Sequence, residues 1–205
     1  MGLLDHKIAT PYFHKRLRAI AKDNGIAFIV DEAQSGIGST GKMWAHENWH
    51  LTESPDIVVF GGKAGITGFY STLDYRLGGE DQICEQVDFS KMINYQKVWK
   101  TILKKNLLAY VNDTSTFLKI ELNRVQKETN LIADVRGEGT MIGFDVDSLD
   151  TARKVQRYLL KSGILVMQSG ETTFSLKPSL ILGPTHAAHL REGLLYYSPN
   201  FDRHL

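Results

Sequence analysis

The sequence of 205 residues predicts an α/β fold in its first half and a smaller α+β unit in its second. Two patterns carry this prediction. Between residues 10 and 63, short apolar runs alternate with helical patterns, as they do in proteins whose helices cover a parallel sheet. Beyond residue 130, shorter strand-like runs are separated by glycine-containing turns and amphipathic helices. The expected domains are residues 1–120 and residues 121–205.

The first half begins with a predicted helix and two predicted strands. The helix starts after Thr10, a good N-cap, and ends at Asn24-Gly25. Its apolar residues recur at helical spacing: Phe13, Leu17, Ile20 and Ala21. The run 26–31 is typical of a strand buried on both faces of a parallel sheet, and the run 56–60 predicts its neighbour. Residues 41–49, between the two strands, have a helical pattern.

The second half begins with two predicted helices between residues 88 and 128, one of them long. Strands are expected at 132–136 and 140–146, and an amphipathic helix from Ser148 to Ser162-Gly163. Short strands at 164–167, 173–176 and 180–182 and a helix at 184–197 complete the predicted small domain.

The composition excludes several classes of function. Lysine plus arginine number 24 against 23 acidic residues, so the net charge of +1 offers no basic surface for nucleic acid. The longest apolar runs, 27–30 and 57–60, are far shorter than a membrane span, and the N-terminus has no signal-like apolar run. A single cysteine, Cys84, excludes an internal disulfide and any metal site built from cysteines alone. We therefore expect no nucleic-acid or membrane partner.

The segment His46-Glu47-Asn48-Trp49-His50 matches the zinc-binding pattern H-E-x-x-H. That pattern needs two histidines one α-helical turn apart, a glutamate that activates water and a third protein ligand. The downstream extension of the pattern has Glu53 where it requires glycine, and the helix would end within a few residues. A short surface or interface helix is the favoured interpretation, and no metal site is expected.

A second match, to the phosphate loop G-x-x-x-x-G-K, lies at residues 36–42. Met43 stands where the loop needs a hydroxyl for Mg²⁺. The acidic motif of such proteins, here VDEAQ at 30–34, would have to share one strand with the loop, whereas it normally lies on a separate later strand. A glycine-rich turn explains the segment better than nucleotide binding.

Three polar residues follow the two predicted strands of the first half. Asp31 ends one strand, Gln34 lies three residues further on, and Lys63 comes just after the next strand. Because neighbouring parallel strands end at the same edge of a sheet, these side chains can converge there. An aspartate, an amide and a lysine are what a pyridoxal phosphate site needs for the pyridine nitrogen, the ring oxygen and the covalent link.

Three longer motifs carry a resemblance to a known family: FIVDEAQSG at 28–36, TGKMWAHENW at 40–49 and DIVVFGGK at 56–63. Further matches follow at KNLL (105–108), VRGEGT (135–140) and PSL (178–180). Together they resemble the class III aminotransferases over nearly the whole chain. The resemblance implies a fold-type I pyridoxal phosphate transferase, with residues 1–120 as the C-terminal part of the large domain and 121–205 as the small domain.

The resemblance also implies roles for single residues. Asp31 pairs with the pyridine nitrogen, Gln34 contacts the ring oxygen, and Lys63 carries the cofactor as an aldimine and shuttles the proton. The implied reaction transfers an amino group from an ω-amino acid such as 4-aminobutyrate to 2-oxoglutarate. A homodimer is expected in the family, located in the mitochondrial matrix or alternatively in the cytoplasm.

Some features depart from the family pattern. Members of the family are longer at the N-terminus, where they hold the phosphate-binding loop, the ring-stacking aromatic residue and an arginine for substrate. Val98 stands where the family has a threonine that reaches the partner's cofactor phosphate. Ser175 replaces an arginine that binds carboxylate, which leaves Lys177 as the nearest cation for substrate. A non-catalytic partner or assembly subunit, or a fragment of a longer enzyme, therefore remain alternatives.

Overall fold

The computed structural model describes residues 6–76 and 88–197. Cys84 lies outside the described residues. The chain divides into two compact units, one of Ala9–Leu108 and one of Ala109–Leu205 with Met1–Ile8. The boundary that we predicted between residues 120 and 121 lies within the second unit, in a continuous helix.

The first unit is built around a three-stranded sheet. Its helices are α1 (Pro11–Asp23) and α2 (Phe89–Lys104), and its strands are β1 (Ile29–Glu32), β2 (Ile57–Phe60) and β3 (Gly68–Ser71). The strand order is β1-β2-β3, with β1 parallel to β2 as predicted. The antiparallel strand β3 was not predicted, because its glycine, aromatic and serine residues give only a weak strand pattern.

The ends of α1 follow the prediction, but its buried face does not. Thr10 caps the helix through a hydrogen bond from Phe13 N to its Oγ1 atom, at 3.3 Å. Most of the apolar stripe is exposed, and the buried residues of the helix are His14, Arg18 and Ala21. Specific contacts explain why His14 and Arg18 are buried. The His14 ring stacks on Trp49, and the Arg18 guanidinium forms two hydrogen bonds with the Asp56 carboxylate.

Strand β1 was predicted to be buried on both faces, and this was wrong. Val30 and Glu32 are buried, whereas Ile29 and Asp31 point to the opposite, exposed face. The buried apolar cluster of this unit is small: it consists of Ala21, Phe28, Val30 and Val58, with Trp44, Trp49 and Leu51 packed against it. The helical pattern at 41–49 corresponds only to a short 3-10 helix, Ala45–Trp49.

The second unit packs three helices on a four-stranded antiparallel sheet. The long helix α3 (Leu107–Thr129), whose first two residues fall in the first unit, is followed by β4 (Ala133–Glu138), β5 (Met141–Asp145), α4 (Leu149–Lys161), β6 (Met167–Ser169), β7 (Thr173–Leu176) and α5 (Pro184–Leu195). The order in the sheet is β4-β5-β7-β6. Two predicted strands were wrong in detail, since β6 begins only at Met167 and residues 180–182 form a turn.

Its core is larger than that of the first unit. Helices and sheet share one cluster of buried side chains: Leu118, Leu122, Val125, Ile132, Ile142, Phe144, Val146, Ala152, Val155, Leu159, Val166, Phe174, Ala187, Leu190 and Leu194. No helix in the described part of the chain is both long and apolar enough to cross a membrane.

Candidate functional site

Asp31 lies near the C-terminal end of β1, beside the parallel strand β2. Its backbone is in register with Val59, so the chain after β2 emerges at the same edge of the sheet as the chain after β1. The Asp31 Oδ1 atom accepts a hydrogen bond from Ala33 N at 2.9 Å, which holds the turn that follows the strand. The carboxylate is exposed, and Gln34 is exposed in the same turn.

Lys63 lies in a 3-10 turn, Gly62–Ala64, that begins two residues after β2 ends. This turn contacts the turn after β1. A Cβ atom on Gly62 would lie 2.7 Å from the carbonyl oxygen of Ala33, and Gly62 has a φ of +57°. Only glycine permits both the conformation and the approach. The structure therefore places the turn of Asp31 and Gln34 directly against the turn of Lys63.

The Lys63 amine has a buried hydroxyl partner that the sequence patterns did not single out. Lys63 Nζ donates a hydrogen bond to Ser39 Oγ at 2.9 Å, and Ser39 Oγ donates to the carbonyl oxygen of Gly36 at 3.0 Å. Ser39 is fully buried and Lys63 is half-buried. No local signal marks Ser39, because its contact joins residues 24 positions apart that only the folded sheet edge brings together.

Glu32, next to Asp31, is a buried carboxylate on the other face of β1. Its two oxygens accept hydrogen bonds from Ala45 N at 2.7 Å and His46 N at 2.8 Å, and the His46 ring lies 2.6 Å from Oε1 through Nδ1. Backbone donors at the start of the 3-10 helix thus satisfy the buried charge. Glu32 ties the glycine-rich segment back to the strand that carries Asp31.

The zinc-like segment is part of this structural network. His46 contacts Glu32, and His50 is exposed at the end of the 3-10 helix with a φ of +50°. Residues four apart do not share a face in a 3-10 helix, so the two histidines lack the spacing that the zinc pattern needs. Within residues 6–76 and 88–197, no group of three or more histidine, cysteine, aspartate or glutamate side chains is arranged to hold a metal ion.

The phosphate-loop match at 36–42 also forms a structural turn. Gly38 N donates to the Met43 carbonyl oxygen at 3.3 Å, and Gly41 N donates to the Gly38 carbonyl oxygen at 3.0 Å. Amide groups that donate to the backbone in this way are not directed at a phosphate. The segment is therefore a hydrogen-bonded turn that contains Ser39, and its geometry does not support a nucleotide site.

Lys177, the residue expected to bind substrate carboxylate, and Ser175, which replaces the arginine of the family pattern, lie in the second unit. Ser175 is buried on β7, and its Oγ atom is 2.6 Å from His6 Nε2. Lys177 follows the end of β7 and lies on the wall of a cavity of about 700 Å³ in that unit. The structure therefore gives Ser175 an internal hydrogen bond and Lys177 a position on a cavity wall, and the substrate role of Lys177 stays a prediction.

The comparison with known families decides the relationship of this chain. The family described as "Aminotransferase class-III" matches residues 6–195. The chain belongs to the class III aminotransferases. The 4-aminobutyrate aminotransferase of Dictyostelium discoideum is 37% identical over 181 residues, which are 87% of this chain and 37% of that protein. The mitochondrial 4-aminobutyrate aminotransferase of Sus scrofa is 31% identical over 182 residues and is covered to 36%. The chain thus spans less than two-fifths of these relatives.

Solved structures confirm the predicted fold class. Lysine aminotransferase from M. tuberculosis superposes with a TM-score of 0.83 at 20% identity, over 90% of this chain and 44% of that one. Plasmodium falciparum ornithine δ-aminotransferase also gives a TM-score of 0.83, at 16% identity, over 97% of this chain and 53% of that one. At these identities the likeness concerns the fold alone, which is the fold-type I architecture of pyridoxal phosphate-dependent aminotransferases.

An aromatic cluster covers one side of the sheet in this class III chain. Trp44 contacts Phe60, Tyr70 and Trp99 with ring centroids 5.2–6.5 Å apart, and Tyr95 of α2 stacks on Phe60. Burial and the nearby carboxylates of Glu32 and Glu47 raise the pKa of the Tyr70 hydroxyl to about 12, so it stays protonated at neutral pH.

Val98 lies half-buried in the helix α2, which carries two of these aromatic residues. Helix α2 also packs against the turn of Lys63. Sequence patterns did not identify the cluster, because its members come from β2, β3, α2 and the residue before the 3-10 helix.

Proposed function

We propose that this chain supplies the cofactor-binding and proton-transferring part of an aminotransferase that moves an amino group from an ω-amino acid to 2-oxoglutarate. The observation that carries the proposal is the close approach of Gly62 to Ala33, which brings the turns of Asp31 and Lys63 together at one sheet edge. Ligands of open α/β proteins bind at such an edge.

The residues present fit pyridoxal 5′-phosphate at its ring. When bound, the cofactor supplies an electron sink that stabilises negative charge on the carbon of the amino donor. The exposed Asp31 carboxylate at the end of β1 would hold a proton on the pyridine nitrogen, because a nearby negative charge favours the cationic form. Gln34, in the same turn, offers an amide group to the ring oxygen.

Lys63 has two tasks in the proposed reaction. Its amine holds the cofactor covalently at rest, and after the donor has replaced it, Nζ takes up the proton from the donor's carbon and returns it further along the reaction. Both tasks need Nζ close to the cofactor. Gly62 serves this need, since a side chain there would push the lysine turn away from Ala33.

The substrate class rests on the relatives and on charge. The curated relatives reported above are 4-aminobutyrate aminotransferases, whereas the solved neighbours act on lysine and ornithine, so we propose 4-aminobutyrate as the donor to test first. Lys177 is the proposed cation for a substrate carboxylate, in place of the arginine that Ser175 replaces. We further propose that the chain forms a homodimer. We propose the mitochondrial matrix as its location, because the mammalian relatives are named mitochondrial enzymes, with the cytoplasm as the alternative.

Covalent trapping on the purified chain tests the proposal. We expect incubation with pyridoxal 5′-phosphate followed by borohydride reduction to leave a stable pyridoxyl group on the Lys63 peptide, identified by mass spectrometry. Lys63→Ala should lose this label completely. Lys42→Ala, which removes an exposed lysine of the same unit, is the matched control and should keep it. Labelling spread evenly over exposed lysines in the wild-type chain would contradict the proposal.

A second candidate is a non-catalytic partner or assembly subunit of an aminotransferase. Ser175, at the position of the carboxylate-binding arginine, is buried and hydrogen-bonded to His6, which favours this candidate. Transfer of the amino group from 4-aminobutyrate to 2-oxoglutarate separates the two. Transfer by the purified chain supports the enzyme, and specific labelling of Lys63 without any transfer supports the partner role.

A further inference from the structure

The amine of Lys63 is held by a chain of hydrogen bonds that runs into the turn after β1. Lys63 Nζ donates to Ser39 Oγ, and Ser39 Oγ donates to the carbonyl oxygen of Gly36. A serine hydroxyl has one proton and two lone pairs. Because its proton points to Gly36, its lone pairs are directed at the lysine, and Ser39 acts as an acceptor for the Lys63 amine.

The position of this acceptor is fixed by the strand that carries Asp31. Gly36 N donates to the Glu32 carbonyl oxygen at 2.9 Å, and a Cβ atom on Gly36 would lie 3.0 Å from that oxygen and 3.1 Å from Glu32 Oε2. Glu32 is itself held by the amides of Ala45 and His46. Ser39 therefore belongs to a rigid, buried turn, and its hydroxyl has a defined place relative to β1.

We propose that Ser39 is a positioning residue for Lys63. It holds the free lysine amine at the sheet edge whenever the amine is not bonded to cofactor, so that covalent attachment starts from an oriented side chain. The inference rests on the proposed function, in which Lys63 alternates between free and bonded states. Without Ser39, the four-carbon side chain of lysine samples many conformations, and few of them present the amine to the cofactor.

Two chemical probes separate holding of the amine from binding of the cofactor. The first is reductive methylation by formaldehyde and cyanoborohydride, which reports how accessible each lysine amine is. The second is the rate of pyridoxal 5′-phosphate attachment at Lys63, measured by borohydride quenching at timed intervals. Both are read from peptide masses, so neither requires an active enzyme.

Three variants are compared with the wild-type chain. Ser39→Ala removes the acceptor, and Ser39→Cys keeps the shape of the side chain with a weaker acceptor. Ser35→Ala is the matched control, because Ser35 is a buried serine of the same turn. In Ser39→Ala we expect methylation of Lys63 to rise about fivefold and cofactor attachment to slow about tenfold, which corresponds to the loss of one hydrogen bond.

Ser39→Cys should fall between Ser39→Ala and the wild-type chain, and Ser35→Ala should stay within about twofold of wild type in both probes. Unchanged methylation of Lys63 in both Ser39 variants, or faster cofactor attachment, would overturn the proposal. A general rise over all lysines in Ser39→Ala would indicate unfolding, and Ser39→Cys then decides. If the Ser39 variants show the rise in Lys63 methylation but the wild-type chain never binds cofactor at Lys63, the holding of the amine stands and the proposed function fails.

Discussion

The two units of the chain differ in how much of their apolar surface they bury by themselves. In the unit of Ala109–Leu205, three helices and the sheet share one large buried cluster that includes Phe144 and Phe174. In the unit of Ala9–Leu108, the buried cluster is small, and Ile26 and Ile29 are 59% and 58% exposed. Asp31 and Lys63, the centre of the proposed chemistry, lie in the unit of Ala9–Leu108, where Asp31 shares the exposed face of β1 with Ile29.

This difference shows that the proposed cofactor site lies in the unit with the smaller apolar core, whereas the larger apolar core lies in the other unit. A strand of a parallel sheet is normally covered on both faces, yet the face of β1 that carries Asp31 is open. Local order in this unit comes instead from polar contacts, such as Arg18 with Asp56 and Glu32 with the 3-10 helix. The unit of Ala109–Leu205 relies on apolar packing, which contributes about 25 cal/mol per Å² buried.

The largest expected effect comes from the larger core. Phe174 is fully buried and stacks on Phe144 with ring centroids 5.4 Å apart. Phe174→Ala should lower the free energy of unfolding by about 3–5 kcal/mol, because it removes a ring and leaves a cavity. Val58→Ala, in the small cluster of the other unit, should cost about 1–3 kcal/mol. Urea unfolding followed by circular dichroism measures both, and a larger loss for Val58→Ala would reverse the comparison.

A smaller effect is expected from two matched ion pairs, one in each unit. Arg18 forms two hydrogen bonds with Asp56, both at 2.9 Å, and Arg136 forms two with Asp145, at 2.9 and 3.0 Å. The Asp56 side chain is 13% exposed and that of Asp145 is 31% exposed. A lysine cannot reproduce the two-pronged contact of arginine.

We therefore expect Arg18→Lys to destabilise the protein by about 1.5–3 kcal/mol and Arg136→Lys by about 0.5–1 kcal/mol. Arg18 holds the more buried aspartate, which also accepts a hydrogen bond from Phe28 N at 2.7 Å. The unfolding free energy of each variant is measured at neutral pH. Equal losses would mean that polar contacts do not distinguish the two units.

The smallest expected effect is a pH dependence of the unfolding free energy that comes from His14, in the unit of Ala9–Leu108. Burial lowers the pKa of His14 below its ordinary value of 6.5, and the hydrogen bond that its Nδ1 donates to the Thr10 carbonyl oxygen opposes part of this shift. The unfolded chain therefore binds the proton more readily than the folded one. The stability from neutral His14 is fully present above pH 6.5 and declines as the pH falls toward its lowered folded pKa.

His14→Gln should flatten this decline between pH 7.5 and pH 5.5, measured as the difference in unfolding free energy at the two values. His50→Gln is the control, because it removes an exposed histidine of the same unit. An unchanged slope in His14→Gln would assign the pH dependence to other groups.

Local patterns predicted most of the elements. The starts of α1 after Thr10 and of α4 at Ser148 were predicted correctly. Both residues cap their helices, and capping uses only residues within one turn of the helix end. Periodicity failed where partners distant in sequence determine burial. Most of the apolar stripe of α1 is exposed, since contacts with Trp49 and Asp56 turn the side of the helix that carries His14 and Arg18 inward.

The sequence by itself determined the family, the α/β order of its elements and the residue types at the proposed site. Motifs around Asp31, Gln34 and Lys63 carry this information because each motif is continuous along the chain. Only the tertiary structure decided that Ser39 accepts from Lys63 and that Glu32 anchors the turn between them. These contacts join separate segments at the end of the parallel strands β1 and β2, and no local spacing encodes a distance across strands.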